Sequence, residues 1–226
     1  MTRIGIVTGA SRGLGLALTR ALAAKGWRVV VDARDGDALE REVGGLDGVV
    51  AVPGDVSDAD HRSRLVEAAG ASIHLLVNNA SILGPSPQPA LAEYPLEELR
   101  RVYEINVLAP LALVQLALPR LTDGARVLNI TSDAAVEAYE TWGGYGSSKA
   151  ALAQISAVLG AENPGLRFYA VDPGDMRTQM HQEAFPGEDI SDRPPPEESL
   201  PGLLALIEGG APSGLYRARD VVGAAH

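Results

Sequence analysis

Short apolar runs rich in valine and isoleucine alternate along this chain with longer helical patterns. The runs that predict strands are residues 3–8, 27–33, 49–52, 73–77, 126–131, 166–171 and 215–218. Helical patterns lie between them, at residues 14–25, 57–69, 96–121, 145–161 and 197–208. Strands that alternate with helices form parallel sheets, because each right-handed crossover returns the chain in the same direction. The alternation predicts an α/β fold, a parallel β-sheet flanked by helices on both faces.

The same pattern favours one domain over residues 1–226, since no internal repeat or linker divides the chain. Pro110 predicts a kink or a break in the long helix at 96–121. Residues 175–198 contain four prolines, mixed charge and no clear period. We expect this stretch to form a substrate loop or a mobile lid.

Composition argues against several function classes. The chain has no cysteine, which excludes a thiol nucleophile, and its four histidines are never spaced four residues apart, so that we predict no metal site. A net charge of −10 without a basic patch argues against nucleic acid or an anionic membrane as partner. No long apolar stretch resembles a signal peptide or approaches the roughly 20 residues of a membrane span. These features predict a soluble cytoplasmic protein.

The turn after the first strand is rich in glycine. Thr8-Gly9-Ala10-Ser11-Arg12-Gly13-Leu14-Gly15 lies where this strand passes into the first helix. Glycine allows a tight turn and lets backbone N–H groups at a helix N-terminus approach a diphosphate. The spacing differs from the common Gly-x-Gly-x-x-Gly pattern, and a glycine-rich connection that binds nothing is the alternative.

Tyr145 and Lys149 are four residues apart in the helix after the fifth predicted strand, so their side chains share one helix face. Lys149 is one of two lysines in a chain with 17 arginines. A phenol with a pKa of about 10 is a poor base at neutral pH, but a nearby ammonium group stabilises the phenolate. The pair predicts a general acid/base, and a surface tyrosine beside a solvated lysine is the alternative.

Together these residues resemble the short-chain dehydrogenase/reductase family, and further matches follow in the same order along the chain. They are Asn78-Asn79-Ala80 after the fourth strand, Asn106 in the next helix, Ser132 after the fifth strand, and Asp172-Pro173-Gly174 with Thr178 after the sixth. The resemblance covers essentially the whole chain. It implies a Rossmann-like doubly wound parallel β-sheet of strand order 3-2-1-4-5-6-7 and a nicotinamide dinucleotide beyond the carboxyl ends of the strands.

The resemblance implies catalytic roles for four residues. Tyr145 is the general acid/base for the substrate oxygen, and Lys149 lowers the pKa of Tyr145 and binds the nicotinamide ribose. Ser132 hydrogen-bonds the substrate oxygen, and Asn106 supports a water that links Lys149 to solvent. The alternatives are that Asn106 caps or kinks its helix and that Ser132 only ends a strand.

The resemblance also implies a cofactor-binding set, which comprises Gly9, Ser11, Arg12, Gly13, Leu14, Gly15, Arg34, Asp55, Val56, Asn79, Ala80, Tyr145, Lys149, Pro173, Gly174 and Thr178. Asp55 matches a position that contacts adenine, with a turn or a helix cap as the alternative. Asn79 is expected to support the cofactor by satisfying backbone groups. The chain departs from the family at Ser81, where glycine is usual, and this change removes no catalytic group.

The cofactor preference depends on the end of the second strand. An acidic residue there binds the ribose 2′-hydroxyl of NAD(H), and a basic residue suits the 2′-phosphate of NADP(H). By the family spacing the acidic position falls on Ala33, followed by Arg34, and Arg12 is a second basic residue. Asp32 lies one residue early, on the other side of the strand. We predict NADP(H) over NAD(H), and a one-residue change in register would reverse this preference.

The sequence therefore predicts an NADP(H)-dependent oxidoreductase that interconverts a carbonyl and a secondary alcohol of a small molecule. The alternatives are a non-catalytic NADP-binding regulator or sensor, which has no need of Ser132, and an enzyme of the same fold with lyase, dehydratase or epimerase chemistry. Relatives of the last kind generally carry a longer C-terminal substrate region.

Two further expectations concern surfaces. Helices 96–121 and 145–161 are rich in alanine and leucine, and from the resemblance we expect them to form the faces of a homodimer or homotetramer; a buried intramolecular face explains this composition equally well. Within 175–198, the candidate pocket residues are Met176, Met180, His181 and Phe185, with surface loop residues as the alternative.

Overall fold

A computed structural model describes residues 2–221; Met1 and residues 222–226, among them His226, lie outside the described part. One sheet has the strand order β3-β2-β1-β4-β5-β6-β7, and all neighbouring strands are parallel. The strands are β1 (Ile4–Val7), β2 (Arg28–Val31), β3 (Val49–Ala51), β4 (Ile73–Asn78), β5 (Leu121–Ile130), β6 (Arg167–Asp172) and β7 (Gly214–Arg217). The predicted fold and strand order are confirmed.

The helices of the described part are α1 (Gly13–Ala24), α2 (Gly36–Val43), α3 (Ala59–Ala69), α4 (Leu96–Tyr103), α5 (Ala109–Ala117), α6 (Gly143–Glu162), α7 (Gln179–Ala184), α8 (Leu200–Glu208) and α9 (Ala218–Val221). The sequence pattern does not predict α2 or α7. Helix α2 buries only Leu39 and Val43, and α7 has six residues, so neither carries enough apolar period to be recognised. The stretch 175–198, predicted to form a substrate loop or a mobile lid, therefore contains a short helix.

The long helix predicted at 96–121 is present but irregular. A π-helical turn, Glu104–Leu108, joins α4 to α5, and Pro110 lies in the first turn of α5. Proline has no N–H for the carbonyl four residues earlier, so the widened turn lies directly before it. By length and composition alone, Leu96–Arg120 is also apolar enough to cross a membrane, contrary to the expectation of no such run, although half of its most apolar window is buried inside the protein.

Two apolar cores lie on opposite faces of the sheet, because alternate residues of each strand point to opposite sides. Val7 and Val31 face α1, α2 and α8, whereas Ile6 and Val30 face α3 and α5. Both faces are covered by helices, as a parallel sheet requires. The carboxyl ends of the strands consequently open at one edge of the sheet, and the loops that follow them carry the predicted site residues.

Candidate active site

A cleft of about 770 Å³ runs along this edge of the sheet. It brings together predicted residues from seven separate segments of the chain, namely Gly9, Ser11, Arg12, Gly13, Leu14, Arg34, Asp55, Val56, Asn79, Ala80, Ser132, Tyr145, Lys149, Pro173, Gly174 and Thr178. Two predicted residues, Gly15 and Asn106, do not belong to its wall.

The glycine turn lies tightly against the end of β4. Gly9 has a φ of +71°, and a Cβ on it would lie 2.9 Å from Ala80 Cα. The Asn79 side-chain amide donates to Thr8 O at 2.8 Å and to Gly9 O at 3.1 Å. A Cβ on Gly15 would lie 2.3 Å from Gly9 O. The absence of a side chain at Gly15 thus leaves room for Gly9 O and for the tight packing of the turn, although Gly15 itself does not line the cleft.

The turn leaves donors at the start of α1. This helix begins at Gly13, which has a φ of +55°, and no side chain caps its first N–H groups. Space above Gly13 is bounded by the methyl group of Thr178, 3.5 Å from an added Cβ. Uncapped N–H groups at a helix N-terminus bind anions. The cradle therefore fits the diphosphate of a nicotinamide dinucleotide.

Basic and acidic side chains meet at the far end of the cleft. Arg12 and Arg34 are exposed, and Arg12 also donates to Gln179 Oε1 of α7. Burial acts to raise the pKa of Asp55, but hydrogen bonds from Ser57 and the charges of Arg34 and Arg101 hold it below its ordinary value. The ionised carboxylate can accept from the amino group of an adenine, and the guanidinium groups can donate to a phosphate of the same nucleotide.

Asp32 forms a buried pair that the sequence analysis missed. It is 1% exposed, and its carboxylate accepts from Gly9 N at 2.7 Å and contacts His61 Nε2 at 3.0 Å. Burial raises the pKa of Asp32, opposed by the hydrogen bonds with His61 and Gly9. Asp32 borders the cleft, but both of its oxygens have partners inside the protein. The sequence offered only two signals for this pair. They are an aspartate directly before the predicted acidic position and a histidine in an otherwise amphipathic helix.

Tyr145 and Lys149 are both buried in the wall of the cleft. Lys149 Nζ donates to Ile130 O at 2.8 Å and lies 5.4 Å from the centroid of the Tyr145 ring. Burial lowers the pKa of Lys149 to about 7. Burial raises the pKa of Tyr145, with the charges of Asp133 and Asp172 acting in the same direction and hydrogen bonds with Ser81 and Ser132 opposing it.

The expectation that Lys149 lowers the pKa of Tyr145 is therefore not met in the protein alone. The physical reason is desolvation, which disfavours both charged forms. A buried ammonium group that loses its proton near neutral pH contributes little positive charge to stabilise a phenolate.

This shift predicts a pH-dependent stability. Because the pKa of Lys149 falls from 10.5 to about 7 on folding, the unfolded chain binds more protons between these values, and stability rises with pH. Between pH 7 and 9 we expect the free energy of unfolding of the wild type to rise relative to that of Lys149→Met by about 1.4 kcal/mol per pH unit. Urea unfolding at several pH values measures it, with Lys25→Met as the matched loss of a surface lysine. Parallel curves for the wild type and Lys149→Met would contradict the shift.

Ser132 shares its hydroxyl with a neighbouring acid. Its Oγ donates to Asp133 Oδ1 at 2.8 Å, and Asp133 Oδ2 accepts from Tyr139 Oη at 2.9 Å. Asp133 was not singled out in the sequence, although it adjoins a predicted catalytic residue. It places a negative charge beside the reacting end of the cleft.

Asn106 lies in the π-helical turn and holds a loop. Its Oδ1 accepts from Ile82 N at 2.9 Å and Ser81 Oγ at 3.1 Å, and its Nδ2 donates to Ile82 O at 2.9 Å and Ser148 Oγ at 3.0 Å. Ser81, the departure from the family pattern, thus helps to tie this loop to α6 through Asn106.

Residues of 175–198 close the reacting end of the cleft. Met176, Met180 and His181 line it, and Phe185 packs behind, 5.8 Å between ring centroids from Trp142. Trp142 in turn lies 5.9 Å from the Tyr145 ring. Leu83 and Ala134 also pack around Tyr145, so that its neighbouring side chains are largely apolar.

Comparison with known proteins identifies a family. A family model described as short chain dehydrogenase matches residues 3–189. The 1-deoxy-11-beta-hydroxypentalenate dehydrogenase of Streptomyces exfoliatus is 36% identical over 193 residues, which cover 80% of this chain and 70% of that enzyme. The crystal structure of a short chain dehydrogenase from Salmonella enterica has a TM-score of 0.89 at 26% identity and covers 97% of this chain and 96% of its own. An alcohol dehydrogenase from the archaeon Thermococcus sibiricus, complexed with 5-hydroxy-NADP, has a TM-score of 0.83 at 26% identity over 96% of both chains.

Proposed function

The chain belongs to the short-chain dehydrogenase/reductase family and is an oxidoreductase, and from that premise we propose that it interconverts a carbonyl and a secondary alcohol by hydride transfer, with NADP(H) as cofactor and Tyr145 as general acid/base. The observation that carries the proposal is that Tyr145, Ser132 and Lys149 border the same cleft as the glycine turn. A proton donor, a hydrogen-bond donor and a cofactor cradle within one cleft are what this reaction requires.

Tyr145 supplies the proton to the substrate oxygen. Its pKa is raised by burial, so the phenol is protonated at neutral pH and can donate to an oxygen that gains negative charge. The Ser132 hydroxyl, which donates to Asp133 in this structure, would turn to donate to the same oxygen. The nicotinamide cofactor, when bound, supplies or accepts the hydride. In the direction of alcohol oxidation, the phenolate form of Tyr145 takes up the proton, and the fraction of Lys149 that is protonated lowers the cost of forming this phenolate.

The other site residues hold the cofactor or order the loops. The start of α1 would bind the diphosphate, Lys149 the nicotinamide ribose, and Asp55 the adenine. We assign to the main chain of Asn106 the support of a water between Lys149 and solvent, because its side chain is fully engaged by Ser81, Ile82 and Ser148.

NADP(H) is favoured by the charges at the end of β2. Arg34 and Arg12 are exposed at the cleft, where a 2′-phosphate would lie, and Ala33 offers no carboxylate to a ribose hydroxyl. The complex of the Thermococcus sibiricus enzyme with an NADP derivative agrees with this preference.

Replacement of Arg34 tests the cofactor preference. We expect Arg34→Leu to weaken NADP⁺ binding about 10- to 100-fold, because a charge-assisted hydrogen bond contributes roughly 1.5–3 kcal/mol, and to leave NAD⁺ binding nearly unchanged. Isothermal titration calorimetry of both cofactors measures this difference, with Arg20→Leu at the rim of the same cleft as control. Equal losses for NADP⁺ and NAD⁺ would show that Arg34 does not contact the 2′-phosphate.

The substrate side favours an uncharged, bulky and largely apolar carbonyl compound. Trp142, Met180 and Leu83 surround Tyr145, and Asp133 disfavours a carboxylate at this place. A screen of butanone, decalone and laevulinate with NADPH and NADH, followed by nicotinamide absorbance, tests the function. We expect decalone to be reduced best and laevulinate least; the absence of turnover with any carbonyl compound or alcohol would contradict the proposal.

Exposed apolar side chains on two helices support the proposal of an oligomer. Leu108 and Leu116 on the long helix and Val158 on α6 are at least 40% exposed. We propose a cytoplasmic homodimer or homotetramer that associates through these helices.

Light scattering tests the oligomer. At micromolar concentration we expect two or four chains per particle for the wild type and one for the double variant Leu108→Glu/Leu116→Glu, because a buried charge without a partner opposes association. Leu215→Glu, at an exposed leucine of β7, is the control. A monomeric wild type would contradict the proposal.

A further inference from the structure

The buried pair at the end of β2 uses a carboxylate that a ribose could otherwise bind. Asp32 is adjacent to Ala33, where the family places the acid that binds the ribose hydroxyls of NAD(H), and it borders the same part of the cleft. One of its oxygens accepts from the backbone N–H of Gly9, and the other contacts His61 Nε2. Among the described residues, these are the two partners that keep the carboxylate turned toward the glycine turn.

His61 has little freedom to move away from Asp32. Its side chain is fully buried, and it packs on the backbone of Gly54, where an added Cβ would lie 2.3 Å from Nδ1. On its far side, the Arg64 guanidinium approaches Nδ1 at 3.4 Å. A guanidinium can only donate, so Nδ1 accepts, and the ring hydrogen is on Nε2, where it is donated to Asp32. The surroundings of the ring therefore direct its N–H at the carboxylate.

This arrangement affects both cofactors in opposite ways. A carboxylate released from His61 could accept a hydrogen bond from the ribose 2′-hydroxyl of NAD⁺, and its charge would repel the 2′-phosphate of NADP⁺. A carboxylate held on Gly9 and His61 has a donor on each of its oxygens, and these two contacts keep it turned away from the ribose. Asp35, the next acid along the chain, is also engaged, since it accepts from Ala38 N at 2.9 Å and caps α2.

We propose that His61 is a specificity-determining residue that sets the preference for NADP(H), by holding Asp32 away from the adenosine ribose. His61 acts through Asp32 and is a positioning residue, not a catalytic one. The inference rests on the cofactor preference in the proposed function, and it adds the reason why an aspartate at this edge does not make the enzyme specific for NAD(H).

Calorimetric binding of NADP⁺ and NAD⁺ to the full chain tests the proposal without any need for turnover. In His61→Leu we expect the ratio of the two affinities to change at least tenfold in favour of NAD⁺. His61→Gln, which keeps a side-chain N–H, is the conservative control and should stay within about threefold of the wild type. In His61→Leu/Asp32→Ala we expect the preference for NADP⁺ to return, because no carboxylate remains to be released.

An unchanged affinity ratio in His61→Leu would overturn the proposal, as would an equal change in the double variant. If His61→Leu does not fold, His61→Asn replaces it with the same expectation, because its shorter amide does not reach Asp32. A wild-type protein that binds NAD⁺ more tightly than NADP⁺ would instead refute the cofactor preference itself, so the two failures are distinguishable.

Discussion

Tyr145→Phe is expected to lower kcat/KM for carbonyl reduction by about a thousandfold, within the range of 10²–10⁴ that general acid–base catalysis contributes. The substitution removes only the phenolic oxygen. Because the Tyr145 ring packs against Leu83 and Ala134, which need no hydroxyl, the free energy of unfolding should change little. Cofactor affinity, measured by calorimetry, should stay within a factor of about three.

Tyr139→Phe is the matched control for this variant. Tyr139 belongs to the same ring cluster, with its centroid 6.4 Å from that of Trp142, and its hydroxyl donates to Asp133 rather than into the cluster around Tyr145. We expect this variant to retain most of the activity. A Tyr145→Phe enzyme that reduced ketones at the wild-type rate would mean that another group donates the proton.

The second large effect is expected at the buried pair. His61→Leu should lower the free energy of unfolding at neutral pH by about 1–3 kcal/mol, because it leaves the buried Asp32 carboxylate without one of its two hydrogen-bond donors. Urea unfolding measures this loss. His61→Leu/Asp32→Ala should recover most of it, since the double variant buries no unpaired charge.

The loss should also depend on pH. Burial raises the pKa of Asp32 above its value in the unfolded chain. Between these two pKa values the native state binds more protons than the unfolded chain, so the free energy of unfolding falls as pH rises. Without His61 the pKa of Asp32 should be raised further, so stability should fall over a wider pH range, and the difference between wild type and variant should shrink in acid, where Asp32 is neutral. A constant difference from acid to neutral pH would mean that the charge of Asp32 is not what His61 stabilises.

The features that sequence could predict are those with a local signal. The glycine turn, the strand runs and the i, i+4 pair of Tyr145 and Lys149 each follow from neighbours in the chain, and together they led to the sheet and the cleft. The strand order then brought residues separated by more than a hundred positions, such as Gly9 and Tyr145, to one edge.

The features that sequence could not predict depend on tertiary contacts. The pairing of Asp32 with His61 joins residues 29 positions apart, and neither shows its partner in the local pattern. The direction of the Tyr145 pKa depends on burial and on Asp133 and Asp172, which a helical spacing does not reveal. Helix α7 begins after the Thr178 cap, and its Met180 packs in the cluster around Tyr145. Its sequence has no apolar period from which a helix could be predicted.

The most direct test of the central claim is the fate of a labelled hydride. The enzyme is supplied with NADPH deuterated at the transferable position of the nicotinamide, together with decalone, and the product is analysed by NMR and mass spectrometry. We predict one deuterium on the carbinol carbon of the product alcohol, and about a thousandfold slower formation of this product with Tyr145→Phe under the same conditions. An unlabelled alcohol, or a product formed while all of the deuterium stays on the cofactor, would contradict hydride transfer in this cleft.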